Sequence, residues 1–148
     1  MTVDLRTGER YSPRPEDYMT KCAPVAPGGD CPLWREFLAR VTSEDAALQK
    51  YLQRVAGYCL TGHTHEHAIF FLYGTGANGK SVFVNTLAGM MGDYAITAPV
   101  EIFIESHTDR HPTELAMLRG VRLVVASETP AGRNWNERKN SRTPSTNR

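Results

Sequence analysis

Residues 74–81 read Gly-Thr-Gly-Ala-Asn-Gly-Lys-Ser, a complete G-x-x-x-x-G-K-[ST] string. It follows the most apolar hexamer of the chain, Ala68-Ile69-Phe70-Phe71-Leu72-Tyr73. A buried strand running into a glycine-rich turn that opens a helix is the geometry a polyphosphate requires. The N–H groups of such a turn point at phosphate oxygens, and the helix adds the positive end of its dipole. Gly74, Thr75, Gly76, Ala77, Asn78 and Gly79 would form the cradle. Lys80 would reach the β- and γ-phosphates of ATP, and the Ser81 hydroxyl would take a place on Mg²⁺. The helix is expected over residues 80–91, ended by Gly92, with Val82, Leu87, Met90 and Met91 along one side.

A second apolar, β-branched run, Val121-Arg122-Leu123-Val124-Val125-Ala126, ends in Ser127-Glu128. Phosphate-loop ATPases place an acid at such a strand end, facing the loop, to orient Mg²⁺ or the attacking water. Glu128 is assigned that catalytic, water-polarising role beside Lys80, and a share of the metal with Ser81. Its neighbour Ser127 is neutral where many such enzymes carry a second acid, so Mg²⁺ would depend more on Ser81, phosphate and water.

The rest of the chain reads as scaffold. Five of nine prolines and the Gly28-Gly29 pair fall within residues 1–32, an irregular lead-in that contacts order or that links to a preceding domain. Pro32 opens a helix whose apolar residues, Trp34, Phe37, Leu38 and Val41, keep the helical spacing. A second helix follows Thr42-Ser43, with Glu44 and Asp45 in its first turn and its end between Gly57 and Gly62. His63, His65 and His67 alternate, but the segment has no cysteine and no outlying ligand at finger spacing, so a polar connector is favoured over a metal site. Short strands are expected at 94–97 and 100–104 and a short helix at 112–118. The resulting organisation is a lead-in (1–32), a helical region (33–67), an α/β phosphate-loop core (68–130) and a polar tail (131–148).

Charge and cysteine content exclude several classes. The net charge is +1, so overall charge advertises no nucleic-acid partner. From Ala131 onward, five basic residues face one acid, which makes the tail locally basic. Three cysteines, Cys22, Cys31 and Cys59, form neither a disulfide framework nor a C-x-x-C site, which fits a reducing, cytoplasmic compartment. No run approaches the roughly 18 apolar residues of a membrane span.

With these pieces in place, the chain resembles the superfamily three helicases, specifically the phage and plasmid primase–helicase group related to the poxvirus primase–helicase. The resemblance runs through Cys31 to Leu38, Leu52 to Tyr58, Leu60-Thr61-Gly62, Asn78 to Ser81, Gly92-Asp93-Tyr94, His111 to Ala116 and Arg122 to Glu128. It implies an AAA+-like phosphate-loop fold, a partial parallel sheet flanked by helices. It also implies an ATP- and Mg²⁺-dependent motor that opens duplex DNA during replication, working as a homo-oligomeric ring, usually a hexamer. A primase region commonly precedes such motors. Near Lys139 the sequence departs from that pattern, and the closing string Asn140 to Arg148 has no apolar residue and no reason to fold. That departure reads as a truncation that removes the sensor strand and arginine finger, leaving weak ATP binding, near-absent hydrolysis and no working ring. The competing readings are a non-catalytic nucleotide-binding or subunit-interaction module, and a small phosphate-loop kinase.

Overall fold

The computed structural model describes residues 1–103 and 116–126. Proline density keeps the first thirty residues from regular structure, apart from a two-residue antiparallel ladder of β1 (Thr2–Val3) with β2 (Arg10–Tyr11) and a single 3-10 turn at Pro15–Asp17. Helix α1 (Pro32–Val41) starts on Pro32, whose fixed φ suits a first helical turn. Helix α2 (Ala46–Thr61) is capped by Asp45, whose carboxylate accepts from the N–H groups of Ala47 (2.9 Å) and Leu48 (3.0 Å). Asp45 is therefore the cap, and Glu44 lies outside the helix rather than in its first turn. Gly57 sits inside α2; the helix ends at Gly62, in the left-handed region with φ 68°.

Helix α3 (Lys80–Met91) packs across a two-stranded parallel sheet of β3 (Ala95–Thr97) and β4 (Leu123–Val125). Its buried residues are Phe83, Leu87 and Met91, spaced four apart; Val82 and Met90 are exposed, so the apolar face is centred differently from the one the sequence suggested. Ala98, Val100 and Ile102 add the remaining buried apolar side chains near the sheet. Residues Val100–Ile102 form a single 3-10 turn instead of a strand, because Pro99 fixes a turn-forming φ and its carbonyl accepts from Ile102 N–H at 3.1 Å.

Two sets of contacts fasten the periphery to this core. Arg122 donates from Nη1 to the Leu60 carbonyl (2.6 Å) at the end of α2, where a cation also meets the negative end of the dipole. The same guanidinium lies 4.2 Å from the Tyr94 ring centroid, and Arg122 N–H donates to the Tyr94 carbonyl at 2.8 Å. The lead-in docks just past the carboxyl end of α3. Cys22 N–H donates to Asp93 Oδ2 and Asp93 N–H to the Cys22 carbonyl, each at 3.1 Å. Lys21 Nζ donates to the Asp93 carbonyl (3.0 Å), and the Tyr94 hydroxyl to the Lys21 carbonyl (2.9 Å). Residues 21–24 are thus ordered by contact with Gly92–Tyr94.

The segment expected to be a buried strand before the glycine loop, residues 68–73, joins neither described sheet. Phe71 is 60% exposed and Tyr73 92%, and Ile69 and Leu72 are exposed as well. Its β-branched and aromatic content marks a segment that would gain from burial, but composition supplies no pairing partner. Among the described residues β4 pairs with β3 alone.

All three cysteines are free thiols; Cys22 and Cys31 are exposed, and Cys59 is half-buried in α2. Burial pushes the Cys59 thiol above the ordinary value by disfavouring the thiolate. A disulfide-exchange reagent at pH 8 is expected to consume Cys22 and Cys31 quickly and Cys59 more slowly. The same shift fixes a sign: as pH rises past the ordinary thiol value, the unfolded chain ionises first, so this contribution to stability is lost toward alkaline pH. Native Cys59 reacting as fast as the other two would contradict the burial.

Candidate functional site

The glycine string of residues 74–81 forms one exposed turn leading into α3, and its eight residues lie together at the amino terminus of that helix. Lys80, the first residue of α3, folds back over the turn. Its Nζ donates to the carbonyls of Gly74 and Thr75, each at 3.0 Å, and to Asn78 Oδ1 at 2.7 Å. Lys80 and Asn78 thereby close the turn into a small ring with the ammonium at its centre. The Asn78 amide nitrogen stands 2.6 Å from where a Cβ at Gly74 would lie, so a side chain there would displace it.

Gly79 caps α3 with φ 85° and offers no side-chain acceptor to the helix. Among the described residues, the first N–H groups of α3 therefore have no partner, as helix starts do in the absence of a cap. Among the described residues, no hydrogen bond takes up the N–H groups of residues 75–81. Ala77 holds φ 59°, a left-handed conformation that costs a non-glycine residue about 1–2 kcal/mol. Such a turn, with free donors among the described residues and an ammonium beside them, can offer several hydrogen bonds to an anion. Ser81 is exposed one residue into the helix, where its hydroxyl can reach a cation held by such an anion.

The other half of the expected site, Glu128, lies outside the described residues, as does the polar tail. The pairing of Lys80 with Glu128 therefore stays an expectation. Among the described residues, no three metal-ligating side chains gather, and His63 and His65 instead stack their rings at 5.0 Å. No helix of the described residues is long and apolar enough to cross a membrane. An open concavity of about 390 Å³ lies at the β1–β2 hairpin, lined by Met1, Arg10, Tyr11, Ser12 and Pro13. It is wide open and shares no residue with the glycine turn.

Sequence reasoning missed what backs the turn. The place of a Gly79 Cβ is taken by Val41 Cγ1 (2.5 Å) and Phe37 Cε2 (3.1 Å), both on α1. Trp34 of the same helix stacks on Phe37 (5.2 Å, 27°) and on Phe83 of α3 (5.7 Å, 15°). The helical spacing of Trp34, Phe37 and Val41 announces an apolar face, but says nothing of what that face meets.

Comparison with known proteins gives two findings. Residues 1–43 match the family described as "D5 N terminal like", a segment that contains β1, β2 and the whole of α1. Over 97 residues, 64% of this chain, the sequence is 29% identical to a protein of Acanthamoeba polyphaga mimivirus named "Putative helicase L207/L206". The match covers 10% of that viral protein, so the chain spans about a tenth of the length of the curated relative it matches. No solved structure matches. The chain is thus similar in its amino-terminal part to the D5 amino-terminal family, and over most of its length to part of a viral protein named as a helicase.

Proposed function

We propose that residues 74–81 bind the phosphates of ATP together with Mg²⁺. In this reading the chain is the nucleotide-binding segment of a replicative DNA helicase of the primase–helicase kind, with an AAA+-like phosphate-loop core; it is the complete motors of that kind that act on DNA as homo-oligomeric rings. The observation that carries the reading is the turn itself: at the start of α3 the Lys80 ammonium folds over the turn onto Gly74, Thr75 and Asn78, and among the described residues no hydrogen bond takes up the N–H groups of residues 75–81. The similarity to the D5 amino-terminal family and to the mimivirus protein supports the helicase part.

The residues fit the ligand. The N–H groups and Lys80 would hold phosphate oxygens, Ser81 would hold Mg²⁺, and Glu128 would orient water for attack on the γ-phosphate. ATP hydrolysis supplies the free energy for strand separation in motors of this kind. Within this chain, Lys80 would exchange its contacts with Gly74, Thr75 and Asn78 for contacts with phosphate, at little cost in reorganisation. A fluorescent ATP analogue should bind saturably and in a Mg²⁺-dependent way. ATP and inorganic triphosphate should displace it, and adenosine should not. Absence of saturable binding up to millimolar analogue would overturn the proposal.

One observation favours a second reading, a nucleotide-binding module without turnover. Residues 68–73, which should place the turn within a sheet, join neither described sheet. Catalysis tolerates misplacement of its groups poorly, with about 100-fold lost for an ångström, whereas phosphate binding by a local turn depends less on the sheet. Phosphate release in the presence of single-stranded DNA separates the two.

A further inference from the structure

We infer that the inner face of α1, formed by Trp34, Phe37 and Val41, is a positioning element for the phosphate turn, so that the amino-terminal segment and nucleotide occupancy are coupled. The inference rests on the reading of residues 74–81 as a phosphate site. It starts from the packing at Gly79, the residue that both ends the turn and begins the helix. Its backbone conformation is one that only glycine adopts at low cost. Val41 and Phe37 occupy the space directly behind it. The Gly79 backbone cannot retreat from an incoming phosphate without displacing these side chains.

The wall is anchored at both ends. Trp34 stacks on Phe37 and on Phe83, and Phe83 is buried at 6% exposure in the first turn of α3. At the far end, buried Thr42 donates from Oγ1 to the Leu38 carbonyl (2.7 Å) and accepts from Gln49 Nε2 (3.1 Å), joining α1 to α2. A chain of ring contacts thus runs from Gly79 through α1 and back into the helix whose amino terminus faces the phosphates. α1 lies within residues 1–43, the part similar to the D5 amino-terminal family. A change in that segment's seating would move the wall, and a phosphate that fixes the turn would fix α1 in return, since coupling between two sites is reciprocal.

Two measurements test the inference. The first is the affinity for the fluorescent ATP analogue in Phe37→Ala and Phe37→Leu. Removing the ring should weaken binding about tenfold by loosening the turn before the ligand arrives, and leucine, which refills most of the space, should restore it to within about threefold. If Phe37→Ala fails to fold, Val41→Ala carries the same comparison. The second uses Trp135→Phe, which leaves Trp34 as the single indole. Its emission should shift on saturation with Mg²⁺ and ATP, and the shift should vanish in Lys80→Ala. If the wild-type chain binds the analogue while folded Phe37→Ala or Val41→Ala binds equally well and Trp34 emission stays constant, the coupling is wrong and the phosphate site stands. If the wild-type chain binds no analogue, both readings fall together.

Discussion

Replacing Lys80 by alanine is expected to weaken binding of a fluorescent ATP analogue by about 10- to 100-fold while leaving thermal unfolding nearly unchanged. Hydrogen bonds to a charged group are worth about 1.5–3 kcal/mol, and each 1.4 kcal/mol is about a tenfold change in affinity. Among the described residues, the oxygens that accept from the ammonium are the carbonyls of Gly74 and Thr75 and Asn78 Oδ1. None of these three acceptors carries a formal charge, so exchanging them for phosphate oxygens would strengthen the contacts of the ammonium. The three contacts are made in an exposed turn, so losing them should cost stability little, within about 1 kcal/mol.

Lys80→Arg sharpens the test. Guanidinium keeps the charge, but its planar fork does not fit a position where one tetrahedral ammonium meets three oxygens from different directions. Binding intermediate between wild type and alanine is the expected result. Wild-type affinity in Lys80→Ala, measured in a folded protein, would show that the ligand sits elsewhere and would remove the central support for the helicase reading.

How much of this was legible in the sequence differs from element to element, for physical reasons. Local chemistry was readable. Pro32 opens α1, the Gly79-Lys80 step opens α3, Gly92 closes it, and β4 falls within the β-branched run 121–126. Each is set by a proline, a glycine or a β-branched run acting on its own few residues. Contacts between distant segments were not. Gly57 looked like a helix stop but is carried through α2, because the cost of about 1 kcal/mol for glycine in a helix is offset by the flanking turns. The lead-in looked irregular, and it is, yet nothing in its prolines reveals that Lys21 and Cys22 find Asp93 some seventy residues later. The site divides in the same way. The turn of residues 74–81 is a local string and its residues lie together, whereas the wall behind it comes from α1 and could be found only in three dimensions. The run 68–73 shows the limit from the other side: strong β-propensity describes a strand's need for neighbours without providing them.

Two glycine-to-alanine substitutions near the end of α3 are expected to move stability in opposite directions. Gly92 has φ 53° and ψ −121°, a conformation open to glycine alone. A Cβ there would lie 2.5 Å from Pro24 Cδ and 2.9 Å from the Cys22 carbonyl oxygen. Neither neighbour can yield easily, because Pro24 is a ring and the Cys22 carbonyl already accepts from Asp93 N–H. Backbone strain of about 1–3 kcal/mol and overpacking of about 1–3 kcal/mol act together, so Gly92→Ala should cost about 2–6 kcal/mol. In a domain of this size that is a fall in Tm of roughly 5–20 °C. Gly89, three residues earlier on the exposed side of the same helix, has nothing within 4 Å of its would-be Cβ. Alanine there relieves helical glycine's entropic cost and should raise stability by up to about 1 kcal/mol. Urea denaturation of the two variants beside wild type reads both signs at once. A Gly92→Ala protein as stable as wild type would mean that residues 21–24 do not pack against the end of α3. The lead-in would then be free of the core, and the route by which the amino-terminal segment reaches the phosphate turn would be reduced to α1 alone.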